Sequence, residues 1–226
     1  MIKSEDVKKK AKKLGADLCG IAYVDRFGSA PEGFRPTDVY PACRSVIVVA
    51  RRLPPAIFEA RSRSPYSMVS ETERVQALDT VAVELCNWLY DHGVNALPVP
   101  SDAPYDFWDP VRKQGRGIIS LKHAAELAGL GRIGKNTLLV NKKYGNMINL
   151  GAVLADADLR PDRPVKETYC IAGCRKCLDA CPSGALDGVT ADQKRCREYT
   201  YRPNRRGQEI VWCSECRRVC PRSSGV

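Results

Sequence analysis

Residues 170–182 read CIAGCRKCLDACP and residues 213–221 read CSECRRVCP, and these two runs decide what the last quarter of the chain can be. Eight of the eleven cysteines fall between Cys170 and Cys220. A small secreted chain would use such a density for disulfides, but spacings this short suit metal ligation. Three close cysteines can wrap one iron–sulfur cube while the cysteine before a proline crosses to a second cube. That rule predicts one [4Fe-4S] cluster on Cys170, Cys174, Cys177 and Cys220, and another on Cys196, Cys213, Cys216 and Cys181. Two four-cysteine zinc sites would use the same eight thiolates, yet they usually pair CxxC units and give no reason for Pro182 and Pro221. The spacing is unusual in two places: three residues separate Cys170 from Cys174, and Cys196 lies 17 positions before Cys213. Gly173, Ala180, Ser183, Gly184 and Ala185 are small enough to let backbone N–H groups approach the sulfurs.

Outward from the cysteines, the segment Asp156 to Lys166, with Pro161 and Pro164, reads as a boundary. It divides the chain into residues 1–160 and 161–226. The first part alternates strands and helices, which argues an α/β or α+β domain. Ser4, Glu5 and Asp6 open a helix to Leu14, stopped by Gly15. Leu18 to Ala22 and Ser45 to Ala50 read as strands of one sheet, the second buried on both faces. Ser70 with Glu73 forms a capping-box pattern before Val75, Leu78, Ala82, Leu85 and Leu89 recur at helical spacing up to Gly93. Ala96 to Val99 is a short strand, and prolines 100, 104 and 110 then predict an irregular stretch to Gly117. Loops of that length are uncommon unless functional. Leu121 to Ala128 reads as a helix, and Thr137 to Val140 and Met147 to Leu154 as extended chain. Cys19, Cys43 and Cys86 sit in apolar surroundings and are expected to be buried free thiols.

At 226 residues and 44% hydrophobic composition the chain can bury a real core. Its formal charge of +10 invites a nucleic-acid partner, but two clusters on eight thiolates would remove roughly four charges. Arg202, Arg205 and Arg206 form the densest basic patch, either a solvated loop or a site for an anionic partner. The opening MIKSEDVKKK has no apolar leader and no apolar run reaches a membrane span, so a soluble cytoplasmic protein with no membrane partner is expected.

Gly129, Gly131 and Gly134 match GxGxxG, and with Lys135 nearly match a Walker loop. Both contexts fail, because the run follows a helix rather than a strand and Asn136 stands where a magnesium-binding hydroxyl belongs. The loop is either a helix cap with a tight turn or a cofactor contact. His123, just before it, is either a surface residue or a proton donor. His92 suits the C-terminus of its helix.

The runs AGLGRIGKNTLLVNKKYGNMINLGAVLADADL (128–159), CRKCLDACPSGAL (174–186) and CSECRRVCP, with GADLCGIA (15–22) and CRSVIVVA (43–50), resemble the epoxyqueuosine reductases and their relatives, the reductive dehalogenases. The resemblance implies an α+β fold: a nitroreductase-like N-terminal domain holding cobalamin and a ferredoxin-like C-terminal domain whose two [4Fe-4S] clusters feed it electrons. It implies a corrinoid contact at Gly129, Leu130, Gly131, Arg132, Gly134, Lys135 and Asn136. The family's proton-donating aspartate falls in register at Gly115 to Ile118, where this chain has no acid, so Ser101-Asp102-Ala103-Pro104 supplies the nearest equivalent. Asp102 and His123 are therefore the expected catalytic residues, with Asp106 and Tyr105 as further proton sources. Where relatives often carry Trp after AGLG, this chain has Arg132, and only six residues follow Cys220, where many relatives continue into repeats that grip tRNA. The expectation is a corrinoid-dependent reductase of a small molecule, supplied by an external donor such as ferredoxin or flavodoxin. The alternatives are an electron-transfer module for a partner protein, with flavin in place of corrinoid, and epoxyqueuosine reduction on tRNA.

Overall fold

Val46 to Val49 alternate between two cores. The structure, a computed structural model, describes residues 2–226, and for 72–75 the backbone only. Its main sheet has four antiparallel strands in the order β1 (Leu18–Tyr23), β2 (Ser45–Arg52), β8 (Ile148–Ala155) and β3 (Ala96–Val99). Ile47 and Val49 of β2 and Val153 of β8 face one core, packed by Val7 of α1 (Ser4–Lys13) and Leu85 and Leu89 of α4 (Asp79–Tyr90). Val46 and Val48 of β2 and Leu154 of β8 face the other, packed by Ala124 and Ala125 of α5 (Leu121–Leu127). A central strand with helices on both faces has no solvent side, so its residues read as an unbroken apolar run. Gly20 is the point of closest approach between β1 and α5, since a Cβ there would lie 2.3 Å from the Ala128 carbonyl oxygen.

The long helix begins earlier than the Ser70 pattern predicts. Short helix α3 (Ser64–Met68) starts with proline in its first turn, and the helical run continues through Val69–Leu78, wound as a π-helix, into α4. Ser70 is buried inside that run, and the Glu73 side chain lies outside the described residues. The backbone entering at Pro65 is already preset for helix, so no hydroxyl cap is needed further on. A four-residue α2 (Pro36–Val39) precedes β2.

The stretch expected to be irregular contains a hairpin, β4 (Phe107–Asp109) and β5 (Gln114–Arg116). Its turn is built by Asp109 Oδ1, which accepts from the Val111 and Arg112 N–H groups at 2.9 Å each. Strands β6 (Arg132–Ile133) and β7 (Leu139–Val140) form a second small hairpin. Beyond residue 160 come α6 (Lys176–Asp179), α7 (Gln193–Thr200), β9 (Tyr201–Pro203), β10 (Glu209–Val211) and α8 (Glu215–Arg218). The boundary segment is pinned to the sheet: Asp162 accepts from the Ile21 N–H at 2.9 Å and pairs with Lys8 at 2.5 Å. Val211 joins Tyr66, Val69 and Met147 in a third apolar cluster, and its N–H donates to Ser67 Oγ at 3.0 Å. Among the described residues no helix is long and apolar enough to cross a membrane.

Candidate functional site

The eight C-terminal cysteines sort into two groups by which thiols feel one another. Cys177 is pushed up by burial and then by the nearby Cys220, Cys170 and Cys174. Cys220 is raised by burial and by Cys170 and Cys174. Those four thiols line one cavity. In the other group, burial pushes Cys216 up to about 12, with Cys213, Cys196 and Cys181 adding to the rise. Cys213 is likewise raised by burial, then by Cys196, Glu215 and Cys181. Cys181 differs: burial pushes it up, but the Ser183 hydroxyl and the N–H groups of Ala185, Ser183 and Leu186 outweigh burial and lower it. The grouping follows from chain path, because α6 and α8 pack together and each places its final cysteine beside the other's motif.

Thiols gathered this closely are poor neighbours as thiolates unless a cation lies among them. Among the described residues no three His, Cys, Asp or Glu side chains draw in around a single ion. A cube of iron and sulfide spreads its four ligands around a larger centre, so donor type and number fit a [4Fe-4S] cluster in each group, and in the first the four thiols also share a cavity.

The glycine loop ties these groups to the sheet domain. The Lys135 N–H donates to Cys170 Sγ at 3.5 Å, and Lys135 Nζ to the Cys174 carbonyl at 2.9 Å. Asn136, buried, donates through Nδ2 to the Cys216 carbonyl at 3.1 Å. A Cβ on Gly134 would stand 3.4 Å from Cys170 Sγ. Gly129 has φ +74° and packs on the Arg163 carbonyl, while Gly131 packs on the Val140 carbonyl across the β6–β7 hairpin. Leu130 is core, and Arg132 pairs with Glu126 at 3.3 Å. These residues thus serve as cap, hairpin and thiol contacts.

On the far side of the same turn lies a cleft of about 290 Å³. Its lining includes Thr137, Leu138 and Leu139, which directly follow the glycine loop, with Ile148 and Leu150 of β8. Asp102, Tyr105, Ser120, Lys122 and Arg217 supply its polar edge. Arg217 follows Cys216 in sequence and donates to the carbonyls of Asn146 and, at 3.3 Å, Ile148. Thr137 holds φ +60°, a left-handed conformation that costs a β-branched residue about 1–3 kcal/mol. Strain of that kind gathers at functional sites.

Of the expected proton sources, the structure brings Asp102 and Tyr105 to the cleft, with Tyr105 Oη donating to Asp102 Oδ1 at 3.0 Å. Asp106 is exposed. His123 is outside the cleft lining and is held by Ser120 Oγ at 2.7 Å, its pKa lowered by burial and by Lys122 against the opposing pull of Glu126. Helical spacing turns Lys122 inward instead, and burial lowers its pKa. Sequence reasoning missed Lys122, Thr137 and Arg217, because nothing local marks a lysine, a threonine or an arginine as cleft-facing. Arg202 lies 3.7 Å over the Tyr199 ring at the base of the β9–β10 hairpin, whose tip carries Arg205 and Arg206. Cys43 and Cys86 are buried and Cys19 partly so, and burial pushes their thiols up to about 11, 12 and 12.

No family model matches the chain. The chain is 31% identical over 231 residues to the epoxyqueuosine reductase of Gloeobacter violaceus, covering 93% of this chain and 66% of the relative. It is 27% identical over 249 residues to that of Leadbetterella byssophila, covering 98% and 80%. Against the Bacillus cereus enzyme the match is 34% over 121 residues, 49% of this chain and 31% of the relative. The matched stretch therefore spans about a third to two thirds of two of these three relatives. Among solved structures, an epoxyqueuosine reductase with an epoxyqueuosine-modified tRNA stem loop superposes with TM-score 0.66 at 22% identity, over 97% of this chain and 64% of that one. The Bacillus subtilis enzyme, with its catalytic aspartate loop swung out of the active site, gives 0.66 at 21%, over 98% and 65%. A catabolic reductive dehalogenase in complex with 3-bromo-4-hydroxybenzoic acid gives 0.69 at 18%, over 98% and 32%. At these identities the structural likeness speaks for the fold alone.

Proposed function

The chain is a relative of the epoxyqueuosine reductases, and from that premise we propose that it is an iron–sulfur reductase that delivers electrons to a corrinoid in the cleft and reduces an epoxyqueuosine-type substrate on tRNA. The observation that carries the reading is the turn 134–139. One side of it contacts both thiol groups, through Lys135 and Asn136, and the other side lines the cleft that holds Asp102. That turn links both thiol groups to the cleft, and Arg217, next to Cys216 in sequence, gives the second group a further link.

Cys170, Cys174, Cys177 and Cys220 would hold one cluster, and Cys196, Cys213, Cys216 and Cys181 the other. The cleft suits one face of a flat, amide-edged macrocycle: Leu138, Leu139, Ile148 and Leu150 give it an apolar floor, and Ser120, Lys122, Asn149 and Arg217 a polar rim. When bound, a corrinoid supplies a strongly nucleophilic reduced centre, and the protein supplies the rest. Asp102 would give up a proton to the substrate oxygen, and Tyr105, already bonded to it, would fix the carboxyl's direction. Lys122, its pKa lowered by burial, would be a second proton source at the cleft edge. The curated relatives support tRNA ahead of the small-molecule substrate that the sequence placed first, and the formal +10 charge suits a polyanion.

The test is anaerobic reconstitution with iron, sulfide and cobalamin, followed by reduction of an epoxyqueuosine-bearing tRNA stem loop. Turnover that falls steeply with salt and is lost in Asp102→Asn supports the reading. Full iron and corrinoid loading with no turnover of the stem loop would exclude it. A second reading, reduction of a small molecule, is favoured by the modest size of the cleft, about 290 Å³. It predicts turnover of a free small substrate that is indifferent to salt.

A further inference from the structure

Asp102 does not stand alone over the cleft, because the segment that carries it is fastened to α7. Gln193 bonds the Gly115 backbone twice, accepting from its N–H at 2.9 Å and donating to its carbonyl at 3.1 Å. One helical turn on, Arg197 lies 5.2 Å from the Tyr105 ring centroid and 5.1 Å from that of Trp108, whose rings stack at 5.8 Å and 12°. The same guanidinium donates to Tyr105 Oη at 3.1 Å, and that hydroxyl donates to Asp102. Lys113 pairs with Glu198 at 3.5 Å. A side chain on Gly115 would begin 3.0 Å from the Tyr105 ring, so the ring is held from behind as well.

Residues i and i+4 share a helix face, so Gln193 and Arg197 present one continuous seam to the hairpin. Cys196 lies on the same helix between them. The hairpin held by the seam is otherwise costly to order: Phe107 and Trp108 remain 46% and 45% exposed, and β4 and β5 belong to no larger sheet. An isolated two-stranded hairpin is marginal in water, and this one is held by α7 and by Arg116, which lies 5.6 Å from the Phe34 ring centroid.

The geometry points to a latch: Arg197, clamped between Tyr105 and Trp108, holds the Asp102 segment closed over the cleft and joins it to the helix that carries Cys196. Arg197 and Tyr105 are positioning residues, acting on Asp102 without reaching the cleft's contents themselves in the case of Arg197. When the latch opens, the segment from Asp102 to Arg116 comes away from α7, while Ser101 stays anchored by its N–H to Asp79 Oδ1 at 2.8 Å. The latch rests on the reading of the cleft as the reaction site, yet its opening is measurable without any turnover.

The experiment uses the full chain with its iron restored under anaerobic conditions. Trypsin cleavage after Arg112, Lys113 and Arg116 reports opening. Arg197→Met, which keeps the stem and loses the cation and the hydrogen bond, is expected to be cut about tenfold faster than wild type, with Arg197→Lys in between. Iron content must match wild type, and if Arg197→Met loses iron, Gln193→Ala decides in its place with the same expected direction. Tyr105→Phe keeps both rings on the guanidinium and loses only the hydroxyl. It is expected to raise hydrogen exchange at 102–106 about threefold while 112–116 stay protected, which a merely packing role for Tyr105 would not produce. Cleavage of the iron-loaded variant at the wild-type rate would overturn the latch, as would unchanged exchange in Tyr105→Phe. Normal latch behaviour in a protein that fails to reduce the stem loop would instead count against the proposed substrate alone.

Discussion

The sheet and the cysteine-rich segment are stabilised by different means. In the first part Val46, Ile47, Val48, Val49 and Ala50 have no exposed surface, and two apolar cores flank them. Past residue 166 the buried hydrophobic residues are Cys177, Ala185, Ile210 and Val211, too few to offset the entropy of ordering some sixty residues. That segment has thiols where the sheet has valines. The lesson is that apolar burial accounts for the first part, whereas the second would need the proposed clusters as its core.

Removing the iron gives the largest expected effect. Chelation should abolish hydrogen-exchange protection across 167–226 while β2 and β8 keep theirs, and protection that survived chelation throughout would break the comparison. Next comes the crossing of ligands between motifs. Replacing Cys181 by Ser should damage the cluster that a Cys213 variant damages, and replacing Cys220 the one that a Cys174 variant damages. Magnetic resonance of the reduced proteins separates the two, and a Cys181 variant that matched Cys174 would mean ligation in sequence order. Ile47→Ala probes the sheet. Its side chain is fully buried, so a loss of about 2–5 kcal/mol is expected, read as a lower denaturation midpoint with unchanged iron content. Asn136→Ala, at the join, should cost about 1–3 kcal/mol by leaving the Cys216 carbonyl without its donor. It sharpens the comparison if iron release speeds up while the sheet's own midpoint moves less than in Ile47→Ala.

Parts of this were legible in advance for reasons that can be named. The apolar run 46–50 appears where burial puts it, and α1 begins at Ser4 with Glu5 and Asp6 in its first turn as expected, although Lys3 is its N-cap and no side chain caps it. The hairpin at 107–116 was unreadable because Asp109 forms its turn through a local side-chain bond and α7, some 80 residues later, holds it in place. The glycine loop showed the need for close backbone approach but not what would approach: a hairpin carbonyl, a linker carbonyl and a thiol.

The sequence by itself anticipated which thiols lie near one another, since eight cysteines at fixed short spacings, each motif closed by proline, constrain which thiols can meet. It also determined the sheet's central strand, because an apolar run of that length has no stable place except between two covered faces. Only the tertiary structure decided which residues face the cleft. Asp102, Lys122, Thr137 and Arg217 come from four separate segments, and the packing of α5, the 134–139 turn and the cysteine segment against β8 sets them side by side. The choice of Lys122 over His123 turned on one step of helical rotation, a difference of direction that neither residue type encodes.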